Sequence, residues 1–350
     1  MSLELKNVIF DLSSADGVSG EESCAAQYAL KYLKNYTDDC FIKNGNVIGN
    51  FGNRKNGTPH ILIDAHIDQV GLIVTNIYES GFIGFSNVGG IDRRLLPAQQ
   101  VCIHGKKKLA GVVCSTPPHL SGSDNKINKI EDFYIDTGMS FEAVSNIVEP
   151  GDRITFASMP KELLNDRITG PALDDRSGVA SILYALELLR NQKYECSFSV
   201  TFSAQEELGE RGAKIAAFDI DPDIALAVDV SFAYCLGDRE YECGKMGQGP
   251  MIGISPSLSR EISDKLIEIS KNENIPYQLE VMNGLTSTNA DQFSVNRTGC
   301  KACTVSIPLK YMHTPSEIIQ IDDVENTGRL IAAYIRSVSL SLIHISEPTR

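Results

Sequence analysis

Residues 174–231, DDRSGVASILYALELLRNQKYECSFSVTFSAQEELGERGAKIAAFDIDPDIALAVDVS, carry the pattern that decides the fold. SGVASILYALELLRN (177–191) spaces its apolar residues by three and four, as a helix packed on a core does. CSFSVTFSA (196–204) is a short run rich in β-branched and aromatic residues, which predicts a strand. ERGAKIAAF (210–218) returns to helical spacing and IALAVDVS (224–231) to an apolar strand. The alternation continues through REISDKLIEISKNENI (260–275), YQLEVM (277–282), KACTVSIPL (301–309) and an amphipathic helix near 324–337. Repeated strand and helix in this order predict an α/β fold, a largely parallel sheet sandwiched by helices.

Upstream, GVSGEESCAAQYALKYLKNY (17–36) reads as a helix, CFIKNGNVIGNF (40–51) as two strands about an Asn-Gly turn, and HILIDAHIDQVG (60–71) as a buried strand. From residue 70 to 160 the texture changes. GLIVTNIYESGFIGFSNVGG (71–90), QQVCIHGKKKLAGVV (99–113) and EPGDRITFAS (149–158) are short alternating runs broken by Gly and Pro, which predict a small all-β domain inserted in the chain. The expected organisation is one α/β domain from 1–69 and 161–340, interrupted by the β-rich unit 70–160. The last ten residues, SLIHISEPTR (341–350), continue no pattern, resemble translated sequencing adapter, and are read as a non-native tail.

The formal net charge is −13, from 45 acidic and 32 basic residues, with no Lys/Arg block to follow a phosphate backbone, which argues against a nucleic-acid partner. No basic leader precedes an apolar run, and no uncharged apolar stretch nears the roughly 18 residues of a membrane span. Nine dispersed cysteines, with Cys300 and Cys303 the only close pair, suit reduced thiols. These features predict a cytoplasmic protein with no membrane partner.

Polar residues recur where the apolar runs end: His66 and Asp68 in HILIDAHIDQVG, Asp174 in TGPALDDRSGVA, Glu206 and Glu207 in VTFSAQEELGERGA, Asp229 in IALAVDVS, and His313 in TVSIPLKYMHTPSE. In open α/β sheets ligands bind beyond the carboxyl ends of strands, so one sheet edge would collect them. Alone, each has a plainer explanation. Glu206 with Glu207 and Asp174 with Asp175 suit helix starts, Asp229 could cap a turn, and His313 could be a surface histidine. His104 and His119 lie in the β-rich unit with no carboxylate partner nearby in sequence, and His60 precedes the strand, so these three are left outside.

Two imidazoles and three carboxylates form a donor set for two divalent ions, with zinc first and cobalt or manganese as substitutes, and a shared carboxylate can hold such ions roughly 3.5–4 Å apart. Two cations contribute +4 and three carboxylates −3, which leaves +1 for a bridging hydroxide. Of the adjacent glutamates, Glu207 is assigned as a ligand and Glu206 as the general acid/base that moves a proton. Asp68, two residues past His66 on an extended chain, shares its face and is positioned to accept the imidazole N–H.

The ordered set AHIDQVG, PALDDRSG, SAQEELGERGA, AVDVS and SIPLKYMHTPSE resembles the dinuclear aminopeptidases of the tetrahedral type, a family that includes glutamyl and deblocking aminopeptidases and members once called endoglucanases. The likeness runs from GVSGEE and NGNVIG through PPHL, FYIDTGMS and VEPGDRITF to DDVENTGRLIAAYI. The resemblance implies that Asp174 bridges two metals, that His66 and Asp229 complete one and Glu207 and His313 the other, and that peptides are shortened from their N-terminus. It also implies that the β-rich unit assembles dimers into a hollow dodecamer that admits short peptides.

One departure stands out. Where the family usually reads Gly-Thr-Asp-Ala, this chain has Ser287-Thr288-Asn289-Ala290 with Asp291 beyond, and Asn289 lacks the charge expected toward substrate. Competing readings are a two-metal carboxypeptidase or amide deacylase, since the metal cage does not say which end of a substrate is held, and a non-catalytic assembly protein. Glycoside hydrolysis would want two carboxylates flanking the bond and no metal cage. The preferred first residue is not legible.

Overall fold

The structure, a computed structural model, describes residues 4–346 apart from 56, 117–127 and 193, and gives the backbone alone for 340–346. Its centre is an eight-stranded sheet in the spatial order Cys40–Lys43, Asn46–Phe51, Ser197–Ser203, His60–His66, Ile224–Phe232, Lys301–Leu309, Met251–Ile254, Gln278–Val281. The four middle strands of that order, from Ser197–Ser203 to Lys301–Leu309, run parallel, while antiparallel pairings join them to the outer strands. Ser197–Ser203 and His60–His66 are buried at every residue, as strands covered on both faces must be.

Two apolar layers cover the sheet. On one face Leu173–Leu189, Arg260–Asn272 and Ile321–Ser346 join the N-terminal helix Leu5–Ser14 around Val200, Leu226, Val228 and Val305. On the other, Arg211–Ile220 and the short helix Ala290–Ser294 pack Ala213, Ala217 and Phe293 on Leu62, Ala227 and Ala302. Small side chains there let the helices approach closely. The hairpin between Cys40–Lys43 and Asn46–Phe51 turns through Asn44 and Gly45, with φ of 52° and 83°. Both lie in the left-handed region, which explains the Asn-Gly pair.

Between the His66 strand and the helix at Leu173, six antiparallel strands close into a barrel: Gly71–Ile77, Ile83–Val88, Tyr134–Asp136, Lys108–Cys114, Gln100–His104 and Arg153–Phe156. The barrel has its own core, including Leu72, Phe85, Val101, Ile135 and Ile154. A small antiparallel sheet of Lys161–Leu163, Arg167–Gly170 and Glu317–Gln320 ties the returning chain to the segment after His313.

Two elements differ from the sequence reading. Leu5–Ser14, to which no element is assigned above, is a helix whose Val8, Ile9 and Leu12 are buried. The C-terminal helix extends from Ile321 to Ser346, well past 324–337 and into the segment read as a tail, because neither Pro nor Gly occurs between Ser337 and Pro348 to stop it. Residues 347–350 of that segment, and the PPHL motif with His119, lie outside the described residues.

Candidate active site

The parallel strands deliver the polar residues to one edge. Ser203 pairs with His66 at the ends of their strands, and Glu206 and Glu207 follow just beyond. Ala227 pairs with Asp64, so Asp229, two residues on, comes abreast of His66. His313 follows the end of Lys301–Leu309, and Asp174 opens the helix Leu173–Leu189, where it and Asp175 leave helical backbone angles and are joined by a cis peptide. His66, Asp174 and Asp229 are 1%, 5% and 6% exposed, while Glu206, Glu207 and His313 are half-buried around the opening.

Asp174 sits between the two histidines. Its Oδ1 is 3.0 Å from His66 Nε2 and its Oδ2 is 3.3 Å from His313 Nε2. Asp229 Oδ1 lies 3.8 Å from His66 Nε2, and Glu207 Oε1 lies 3.2 Å from His313 Nε2. The Glu206 carboxylate is 4.0 Å from His66 Nε2 and accepts no hydrogen bond among the described residues. Donors set about 2 Å from a tetrahedrally held ion stand roughly 3.3 Å from one another, close to the spacing seen here. Three groups of possible donors fall within 4.8 Å of one another: His66 with Asp175 and Asp229, His66 with Glu206 and Glu207, and Asp174 with Glu207 and His313. The residues present therefore fit divalent metal.

The electrostatics agree. Burial pushes Glu206 up to about 9 and Asp229 up to about 8, with the neighbouring carboxylates adding to the shift and His66 opposing it. Burial would push Asp174 up too, but the imidazoles of His313 and His66 hold it well below the usual carboxylate range. Burial alone would lower His313, yet Asp174 and Glu207 raise it to about 11. Acidic groups crowded this closely, with no lysine or arginine among the described cavity residues, favour a bound cation.

Asp68, fully buried, has a larger task than the sequence reading gave it. Its carboxylate oxygens accept the backbone N–H groups of Glu206 (2.9 Å) and Glu207 (3.1 Å), and so fix both glutamates against the His66 strand. Its Oδ1 is 3.5 Å from His66 Nδ1, while its backbone carbonyl, at 3.2 Å, is the nearer acceptor.

Two participants escaped the sequence reading. Asp175 is fully buried beside His66 and accepts the N–H groups of His66 (3.3 Å) and Gly178 (3.0 Å). Glu317 is buried and accepts the N–H groups of His313 (2.8 Å) and Asp174 (3.1 Å), which ties both flanks of the site together. The DD pair and the Glu four residues past His313 were visible signals. Each had a local explanation that hid its long-range partner. Arg176 of the same ALDDR segment is wholly buried and donates to the carbonyls of Ile67, Leu12 and Ala15 and, at 2.9 Å, to Gln69 Oε1.

Asn289 does not face the cavity. It is buried, and its amide donates to Asp64 Oδ2 at 2.7 Å and Ser203 Oγ at 2.8 Å, beneath the His66 strand. Thr286, Ser287 and Thr288 line the cavity instead, and Asp291 holds that loop by accepting the N–H groups of Thr286 and Ser287. The barrel also reaches the site: a Cβ on Gly90 would fall 3.0 Å from His313 Nδ1, so only glycine fits there without displacing the ring.

Of the histidines left outside, His60 and His104 stay outside. His60 lies between Ser197 and Ser199, and His104 bonds Thr155 in the barrel. Cys300 and Cys303 are unpaired, and burial pushes their thiols up to about 12 and about 11, which disfavours metal binding.

Comparison with known proteins gives one answer. The family model of M42 glutamyl aminopeptidase matches residues 45–330. Lysyl aminopeptidase of Pyrococcus furiosus is 32% identical over 92% of this chain and 94% of its own. An aminopeptidase structure from the archaeon Desulfurococcus kamchatkensis superposes with a TM-score of 0.91 at 32% identity, covering 99% of this chain and 98% of that one. The TET1 peptidase of Pyrococcus horikoshii, described as assembling into a tetrahedron or a large octahedral shell, superposes with a TM-score of 0.83 at 32% identity, over 95% and 99%. The chain belongs to the M42 glutamyl aminopeptidase family and is a metal-dependent aminopeptidase.

Proposed function

We propose that this aminopeptidase works with two divalent ions per chain, zinc or in its place cobalt or manganese, held by His66, Asp174, Asp229, Glu207 and His313. The observation that carries the reading is Asp174, whose two oxygens address His66 on one side and His313 on the other. That geometry suits a carboxylate shared by two metals. Asp229 completes the His66 side. Asp175 has both oxygens engaged by backbone N–H groups and acts as a support for the His66 strand.

The ions, when bound, lower the pKa of water and polarise the carbonyl under attack. The Glu206 carboxylate would take a proton from the attacking water and hand it to the leaving amine. Its backbone is held by Asp68, its carboxylate has no competing hydrogen bond among the described residues, and burial favours its protonated form once it has accepted the proton. Glu317 and Asp68 position ligands and base without touching substrate.

The substrates are short peptides and the protein is a homo-oligomer of the tetrahedral type, with the barrel of 70–160 mediating assembly into a dodecamer. The Pyrococcus horikoshii relative supports this reading. Nine unpaired cysteines support work in the reducing cytoplasm.

The test uses protein stripped of metal and reloaded with single ions, given matched free and N-acetylated peptides. Release of the first residue from the free peptide, restored by two equivalents of metal per chain, is expected. Release of the C-terminal residue from both peptides would overturn the reading.

A further inference from the structure

The cavity at the metal-ligating residues, of about 280 Å³, does not end there. Its far side is formed by Glu280, Ser231, Ser306, Thr304, Met282 and Phe232. Ser306 is in register with Asp229 on the neighbouring strand, and Ser231 lies two residues past Asp229 on the same strand face. Each is therefore one step from the metal site, about 4.8 Å across the sheet or about 6.6 Å along it. Glu280 reaches over from Gln278–Val281 and accepts hydrogen bonds from both serines, 2.7 Å from Ser306 Oγ and closer still to Ser231 Oγ. Gly253, its register partner on the intervening strand, keeps the passage clear; a Cβ there would fall 2.0 Å from Thr304 Oγ1.

Glu280 is an acceptor without its natural partner. An ionised carboxylate has about four acceptor sites, two hydroxyls fill two of them, and no ion pair to Glu280 exists among the described residues. Burial pushes its carboxyl up, and the two serines pull it only part of the way back. Thr304 Oγ1, on the same cavity wall, is wholly buried and has no hydrogen-bond partner among the described residues. Among the described residues no lysine or arginine lines the cavity, and Met282, Met312 and Phe232 give its walls an apolar character.

We infer that Glu280, with Ser231, Ser306 and Thr304, receives a cationic first side chain, so that the enzyme releases N-terminal Lys or Arg in preference to acidic residues. This rests on the aminopeptidase reading above. A lysine's four-carbon stem spans the step from the metal-held end of the peptide to Glu280 along the methionines, and its ammonium supplies donors to the carboxylate and to Thr304. A glutamyl side chain would set two carboxylates together in a dry pocket. A neutral one of equal length would leave Glu280 unpaired.

The test compares kcat/KM of the metal-loaded, full-length protein for lysyl, arginyl, norleucyl and glutamyl p-nitroanilides. Norleucine has the lysine stem without the ammonium. The expected lysyl over norleucyl ratio is on the order of 100-fold, the worth of a charge-assisted hydrogen bond in a desolvated site. Glu280→Gln keeps the side-chain shape and should erase most of that ratio. As a readout independent of turnover, calorimetric titration of the wild type with free L-lysine and L-norleucine should show the same order, with the difference lost in the variant. A ratio near one in the wild type, a preference for glutamyl substrate, or a ratio unmoved by Glu280→Gln overturns the assignment and leaves the aminopeptidase intact. Failure to release any residue from any of the four substrates overturns both.

Discussion

Glu206→Gln isolates proton transfer from everything else in the site. The amide has the shape of the carboxylate, and the anchor that sets its position, the Glu206 N–H to Asp68 Oδ1 at 2.9 Å, belongs to the backbone and survives. The side chain stands 4.0 Å from His66 Nε2, farther than the 3.0–3.8 Å at which the assigned carboxylate ligands approach the two histidines, and on that assignment metal should remain. What disappears is a carboxylate able to carry a proton, on a buried side chain whose surroundings favour the protonated form once it has taken one up. General acid/base catalysis is worth 10²- to 10⁴-fold, or about 3–5.5 kcal/mol in the barrier. The expected result is a kcat lower by that factor on an aminoacyl p-nitroanilide, with metal content by mass spectrometry and circular dichroism unchanged. A variant within about threefold of wild-type kcat would refute the assignment on the scale of that estimate. Loss of one metal with activity would instead make Glu206 a ligand.

Glu317→Gln leaves one acceptor oxygen for the two N–H groups of His313 and Asp174, and should weaken metal binding by about 10- to 100-fold in chelator competition; unchanged affinity would remove Glu317 from the site. Asn289→Ala strips the buried amide donor from Asp64 and should lower stability by about 2–3 kcal/mol in denaturant melts, and a loss under about 0.5 kcal/mol would mean that water replaces the amide. Burial, with Arg54 adding and Asp223 opposing, lowers His60 to about 4 from the usual 6.5. The folded state then binds that proton less readily than the unfolded chain. The stability it contributes is complete above pH 6.5 and is lost as pH falls toward 4, with a slope of at most about 1.4 kcal/mol per pH unit. A His60→Asn variant should show a shallower fall in melting temperature between pH 6.5 and 4, and an unchanged slope would refute the attribution.

The parts legible in the sequence were those written in local pattern. Alternating helix and strand periods between residues 174 and 309 announced a mostly parallel sheet, because period 3.6 and period 2 reflect which face each residue buries. Short alternating runs with Gly and Pro marked the barrel. Polar residues at the ends of apolar runs pointed to the candidate site, since a polar group in a buried strand needs either a partner, as Asp64 has in Asn289, or an opening to a cavity.

The tertiary structure decided whatever depends on partners far apart in the chain. Asp68 looked like a support for a histidine two residues away, and only the register of two parallel strands set its carboxylate under the N–H groups of Glu206 and Glu207. Asn289 looked like a lost substrate contact until its amide was found against Asp64, 225 residues away. Glu280 gave no signal at all: one glutamate in an edge-side strand, given meaning by hydroxyls from two other strands. Local sequence sets which face a residue presents. Strand order and register set what that face meets, and no short-range pattern encodes them.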